Sequence, residues 1–219
     1  MLIGISGKIS SGKDTVGKII QYLVWKSRVE RGELPLSVYS FSYFARETSF
    51  DKNQSNFEIK KFADKLKDIV CMLIGCTREQ LEDEQFKSTE LPEEWWYYKI
   101  GRNKIVQRGY YPNEIDNDIC EQRFLIKTTP RLLLQLLGTE CGRNILHPNI
   151  WVNSLFSDYK SHIENYPNLT KSDGKPLIEG NNYSMGKAIY PNWIITDMRF
   201  PNELEAVKSR GGITIRVNR

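Results

Sequence analysis

The chain has 219 residues, 40% hydrophobic and 26% charged, with a formal charge of +4, the size and balance of one sizeable folded domain or two small ones. The positive excess is too small to argue for duplex DNA and suits a site for small anions. No apolar run approaches the roughly 20 residues of a membrane span.

Met1 to Ser6 is a short apolar run that reads as a buried strand. Gly7-Lys8-Ile9-Ser10-Ser11-Gly12-Lys13-Asp14-Thr15 comes next, and Val16 to Trp25 then has helical spacing. A glycine-rich loop between a strand and a helix is a phosphate cradle. Its backbone amides and the helix amino end face the anion, and Lys13 reaches the outer phosphates. Gly7, Ser10, Ser11, Gly12, Lys13, Asp14 and Thr15 are the candidate phosphate-binding residues. The general pattern places Ser or Thr directly after Gly-Lys, where the hydroxyl binds magnesium. Asp14 stands there instead, and Thr15 comes one residue late.

Leu36 to Phe44 is apolar and aromatic and suggests a strand or hairpin, and 51–56 a polar loop. Ile59 to Ala63 suggests a second core strand. Asp64 to Ile74 has its apolar residues at helical spacing and ends at Gly75. Thr77-Arg78-Glu79-Gln80 has the form of an N-cap with a supporting Gln. Leu91 to Asp118 is aromatic, with Trp95, Trp96, Tyr97 and Tyr98 in a row. These could stack on single-stranded nucleic acid, but no dense basic stripe accompanies them, and packing of an inserted subregion is the better reading. Phe124 to Thr128 reads as extended. Thr129 and Pro130 open a helix through Leu137, and Gly138 is expected to break it.

Pro148 to Tyr159 reads as a helix and Pro167 to Tyr190 as a long surface loop. Trp193 to Thr196 is an apolar strand ending at Asp197, Asn202 to Arg210 a helix, and Ile213 to Val217 a last strand. Strands alternating with helices imply an α/β fold with a parallel sheet covered on both faces. The chain reads as a single domain over 1–219, with 77–128 as an inserted substrate or lid subregion and 160–191 as a long loop. Cys71, Cys76, Cys120 and Cys141 form no Cys-x-x-Cys unit. With only His147 and His162 beside them, they argue against structural zinc.

Ligands in such sheets bind beyond the carboxyl ends of the strands. The phosphate loop occupies one such end and Asp197 another, where an acid would hold magnesium directly or through water. Arg199 could neutralise a moving phosphoryl group or pair with Glu203 or Glu205. Arg131 opens a helix, an odd place for a cation, which points to a nearby anion or to a solvated side chain. Trp151 could stack on a base or pack in a core.

Four segments together resemble the deoxynucleoside monophosphate kinases of tailed bacteriophages. They are Gly7 to Thr15, Phe62 to Lys67 with the run from Arg78, Leu134 to Glu140 through Asn153, and Ile195 to Glu203. The Asp after Gly-Lys is what that family looks like at this place. The resemblance implies a three-layer P-loop NTPase fold and transfer of the γ-phosphate of ATP to a deoxynucleoside monophosphate, with magnesium. It implies that Lys13, Asp14, Arg131, Asp197 and Arg199 are catalytic, and that Asp14, Thr15 and Asp197 serve the metal. Asp64, Lys65, Arg131, Gly138, Thr139, Arg143, Trp151, Arg199 and Glu203 would bind substrate. A cytoplasmic location is expected, that of the host if the chain is phage-encoded.

A kinase sheet of this class has five core strands, and only four can be placed, near 2–6, 59–63, 193–197 and 213–217. The C-terminal strand is the one not placed; a hairpin from Leu36 to Phe44 is one candidate to fill the gap, and a shortened sheet would leave an edge that invites homodimers. Two rival readings remain: a P-loop kinase of another phosphorylated metabolite, and a non-catalytic nucleotide- or nucleic-acid-binding relic.

Overall fold

The computed structural model describes residues 1–34, 40–46, 55–100, 104–107, 123–164 and 187–218. In chain order the elements begin with β1 (Leu2–Gly7), α1 (Lys13–Glu30), α2 (Phe41–Arg46), β2 (Glu58–Lys60) and α3 (Asp64–Ile74). Two short helices come next, α4 (Arg78–Glu82) and α5 (Glu84–Ser88), then a 3-10 turn at Glu93–Trp95. Three strands, β3 (Tyr97–Ile100), β4 (Lys104–Gln107) and β5 (Arg123–Ile126), precede α6 (Pro130–Gln135) and a π-helix over Leu136–Leu146. The chain continues through α7 (Ile150–Phe156), β6 (His162–Glu164), β7 (Lys187–Ile189), β8 (Trp193–Met198), α8 (Pro201–Lys208) and β9 (Ile213–Val217). These elements divide into two compact units, residues 1–62 with 152–219, and residues 63–151.

The first unit is built on a four-stranded parallel sheet in the order β2-β8-β1-β9. Three of its strands fall where the sequence places them, and β2, expected over Ile59 to Ala63, forms instead over Glu58–Lys60. β8 is buried on both faces, which is why Trp193-Ile194-Ile195 is a continuous apolar run rather than an alternating one. Helix α1 covers one face, where Val16, Ile20 and Val24 pack over Ile3, Ile5, Phe57 and Ile194. Helix α8 covers the other, where Val207 and Met198 close over Gly4. The sheet is thus flanked by helices on both sides, as in an α/β fold.

Two local features shape the carboxyl end of this sheet. The pairing of β1 with β8 slips by one residue between Gly4 and Ser6, which face Ile195 and Met198. This bulge lies at Thr196 and Asp197, and bulges re-aim side chains at sheet ends. Gly17 brings α1 close to β8: a Cβ there would stand 2.7 Å from the Thr196 methyl.

Of the strand or hairpin expected from Leu36 to Phe44, the part from Phe41 onward is instead a helix, Phe41–Arg46. Phe41 and Phe44, three residues apart, lie on one helical face and pack on Tyr22 at ring separations of 5.6 and 5.4 Å. Tertiary packing overrides the strand-like composition. Residues 35–39 and 51–54 lie outside the described residues. The long loop expected over 160–191 has paired ends, since β6 and β7 form an antiparallel ribbon. Residues 165–186 also lie outside the described residues.

In the second unit α3 spans the expected residues, buries Leu66 and Val70, and stops at Gly75 in the left-handed conformation. Thr77 and Gln80 form the expected capping box of α4. The aromatic run leads into a strand. Trp96 donates its indole N–H to the Leu91 carbonyl (2.7 Å), and Tyr97 and Tyr98 belong to β3 of an antiparallel sheet, β4-β3-β5. Gly138 does not break its helix. Helix α6 continues as a π-helix, and Gly138 sits where a Cβ would approach Leu66 to 2.8 Å. Glycine here serves close packing rather than termination.

Substituting Gly17 tests the α1–β8 contact. Gly17→Ala presses a methyl into the buried Thr196 and is expected to cost about 1–3 kcal/mol, read as a lower urea midpoint. An unchanged midpoint would show that α1 shifts without cost.

Candidate functional site

The loop between β1 and α1 lies at the carboxyl end of a central strand, the usual ligand-binding end of an open parallel sheet. Ser10 and Gly12 take left-handed conformations, at φ 60° and 88°, and the Ser11 amide donates to the Lys8 carbonyl at 3.2 Å. Gly12 is the N-cap of the 18-residue α1 and offers no side chain to cap it. The amino end of a long helix therefore faces the loop with its dipole, an arrangement that favours an anion.

Two side chains fill the loop from within. Lys13 is buried and donates its ammonium to the carbonyls of Gly7 (3.1 Å) and Lys8 (2.6 Å). The Ser11 hydroxyl is buried without a hydrogen-bond partner among the described residues. A Cβ at position 7 would stand 2.5 Å from that hydroxyl, so only glycine leaves the cradle open. Buried hydroxyls are ordinarily satisfied. An orphaned one beside a buried ammonium and an uncapped helix end fits a phosphate group, whose oxygens accept from all three.

Asp14, in the first turn of α1, is exposed but not unattended. The Thr196 hydroxyl donates a short hydrogen bond to Oδ1, and the Lys61 ammonium lies 3.2 Å from both carboxylate oxygens. Partial burial pushes the Asp14 carboxyl up. The Thr196 hydroxyl and the Lys61 and Lys13 charges outweigh it, so the group sits below the usual carboxylate range. Asp197, in the bulge beside Thr196, accepts the Phe62 backbone amide at 2.8 Å and so fastens the residues just after β2 to β8. Thr15 is exposed.

Among the described residues, no group of three or more His, Cys, Asp or Glu side chains is placed to hold a metal ion. The oxygens at hand, from Asp14, Thr15 and Asp197, are hard donors of the kind magnesium prefers. Mg²⁺ ordinarily takes one or two carboxylates and completes its shell with water and substrate phosphates.

Beside the loop opens a cleft of about 760 Å³, lined by Lys8, Ile9, Arg199, Phe200, Arg216 and Val217 among others. That is roomy enough for a small-molecule ligand. Arg199 and Phe200 are both exposed on it. Glu203 is buried and accepts the backbone amides of Arg199 (2.7 Å) and Phe200 (3.0 Å), so its carboxylate shapes the start of α8.

The remaining sequence candidates belong to the second unit. Asp64 pairs with Arg78 at 3.0 Å, and Lys65 is half-buried. Arg131, the cation at the start of α6, forms an ion pair with Glu84, which supplies the anion that the helix dipole called for. Trp151 is buried, and its indole N–H donates to the Gly138 carbonyl at 2.8 Å. It packs against Gly142, where a Cβ would meet the ring at 3.0 Å. Thr139 is exposed and Arg143 half-buried on the π-helix.

Thr196 and Lys61 were not among the sequence candidates. Thr196 carried a signal: a polar residue inside an apolar, fully buried strand needs a partner. Lys61 carried none beyond its place just after β2.

No family model matches the chain. A deoxynucleoside-5'-monophosphate kinase of Escherichia phage T5 is 25% identical over 222 aligned residues, spanning 95% of this chain and 72% of that protein. The similarity suggests a distant kinase relationship. Among the described residues, no helix is long and apolar enough to cross a membrane.

The lowered Asp14 carboxyl sets a pH dependence. It stays ionised in the folded chain where the unfolded chain would take up a proton. Its contribution is therefore complete above about pH 4 and is lost as pH falls through the folded value. Asp14→Asn should flatten the decline of the urea midpoint below about pH 4. Parallel declines in variant and parent would show that Asp14 contributes nothing there.

Proposed function

We propose that the chain is a nucleotide kinase that transfers the γ-phosphate of ATP, with magnesium, to a deoxynucleoside monophosphate, giving a deoxynucleoside diphosphate and ADP. The observation that carries this reading is the loop of Gly7 to Thr15, with its orphaned Ser11 hydroxyl, its inward Lys13 and the uncapped start of α1. The similarity to the phage T5 enzyme supplies the substrate class.

In this reading the loop amides and Ser10, Ser11, Gly12 and Lys13 hold the triphosphate. Lys13 exchanges its two carbonyl partners for phosphate oxygens. Asp14, Thr15 and Asp197 hold magnesium, which neutralises charge on the phosphates when bound. The cleft beside the loop takes the nucleoside portion of a nucleotide, with Phe200 as its exposed ring and Lys8, Arg199 and Arg216 as its cations. Arg199 balances charge on the moving phosphoryl group. An oxygen of the acceptor monophosphate bonds to the γ-phosphorus as the bond to the ADP oxygen breaks, and the protein aligns the two.

Arg131, Asp64, Lys65, Gly138, Thr139, Arg143, Trp151 and Glu203 remain the residues proposed for the acceptor. For Trp151, Gly138 and Glu203 that role is indirect. Their polar groups are engaged within the protein and shape the backbone from which their neighbours project. The protein is further proposed to act in the cytoplasm, without nucleic acid or membrane partners, and as a homodimer.

A coupled ADP-release assay with ATP, magnesium and dAMP, dGMP, dCMP, dTMP or dUMP tests this reading, with ribonucleotides as controls. Turnover with at least one deoxynucleotide is expected, and Lys13→Met should lower kcat by roughly 10²–10³-fold. ADP release with none of them would remove the proposal. Turnover that survives Lys13→Met would place the phosphate site elsewhere.

A further inference from the structure

We infer that Lys61 is an exchangeable counter-ion, held at Asp14 by Thr196's grip on the carboxylate and displaced when a divalent cation binds there. The inference rests on the kinase reading for its metal and on the geometry for everything else. Three elements meet at Asp14: the first turn of α1, the end of β2 through Lys61, and the β8 bulge through Thr196.

The two partners of the carboxylate are not equivalent. Thr196 is 1% exposed, and its methyl is wedged under Gly17, so its hydroxyl has one fixed direction. It holds Oδ1 and fixes the plane of the carboxylate. Lys61 comes from a chain segment whose next residue is tied to Asp197 through the Phe62 amide, which sets its backbone but not its four-carbon stem. Its ammonium reaches both carboxylate oxygens at 3.2 Å and remains partly exposed. An ammonium is a point charge on a flexible stem, which can turn away from the carboxylate while the backbone stays in place.

A cation that coordinates Asp14 must share those oxygens with a like charge or move it aside. Lys61 therefore lowers the affinity of the site for metal. It also keeps Asp14 neutralised when no metal is present, a need that a hydroxyl at position 14 would not create. Thr196 acts in the opposite sense, since it presents the carboxylate in one orientation and so favours binding.

The test is manganese binding to the full chain, followed by electron paramagnetic resonance at constant ionic strength, without nucleotide. Lys61→Met should bind Mn²⁺ about two- to fivefold more tightly than the parent, the scale of one partly exposed ion pair. Lys61→Arg, which keeps the charge, should match the parent. Thr196→Val should bind more weakly, and Thr196→Ser should restore parental binding. Equal or weaker binding by Lys61→Met would overturn the inference, as would absence of Mn²⁺ binding in both parent and Lys61→Met. The kinase assay is independent of this readout. Inactivity towards every nucleotide, with the manganese pattern intact, removes the kinase reading and leaves the counter-ion in place.

Discussion

Asp14 is the point through which β8 and the residues just after β2 are fastened to the start of α1. The hydroxyl that reaches it comes from Thr196, 182 residues away, and the ammonium from Lys61, 47 residues away. Their energies are unequal. A hydrogen bond to a charged group contributes about 1.5–3 kcal/mol, and removing it strands a buried Thr hydroxyl. A partly exposed ion pair contributes about 0.2–1 kcal/mol and is screened by salt. The Thr196 contact therefore sets the geometry. Strand alternation makes it reachable, because Thr196 stands two residues after Ile194 on the face of β8 that α1 covers.

The loop itself is satisfied only in part. Lys13 spends its charge on two backbone carbonyls, and Ser11 keeps a buried hydroxyl without a partner among the described residues. A charged ammonium on neutral carbonyls gains less than on an anion. The phosphate proposed for this loop would improve the pairing of Lys13, satisfy Ser11 and meet the dipole of α1 together. Partners that wait half-used are how a site binds an anion without reorganising its backbone.

Much of the sheet could be read from the chain because buried parallel strands tend to be continuous apolar runs, as at the start of the chain and at Trp193 to Ile195, whereas the edge strand Glu58-Ile59-Lys60 carries little of that signal and shares only Ile59 and Lys60 with the span expected for it. The end of α3 and the start of α4 were legible for a local reason, since Gly75, Thr77 and Gln80 act within a few residues of themselves. What escaped depends on distant partners. Phe41 and Phe44 are strand-like by composition and helical because Tyr22 and Trp25 lie beneath them. Gly138 resembles a helix stop and serves as a close contact with Leu66. The tie between Thr196 and Asp14 spans most of the chain, and no local pattern announces it. In the aromatic run at 95–98, Trp96 is committed to the Leu91 carbonyl, in keeping with the packing role preferred over a stacking surface.

A carboxylate at position 14 changes what the neighbourhood must supply. A serine or threonine there is neutral and both donates and accepts, so it needs no counter-charge when the site is empty. A carboxylate accepts only and carries a charge beside a loop proposed to receive phosphates, which it would repel. The dipole of α1 favours an acid in its first turn, and the fold adds a hydroxyl from β8 and an ammonium from just after β2. The partial burial that raises the Asp14 carboxyl is the cost of that position, and its partners more than compensate. The departure from the Ser/Thr pattern at residue 14 is thus inseparable from residues 61 and 196. Aspartate works in this loop because those two positions are what they are.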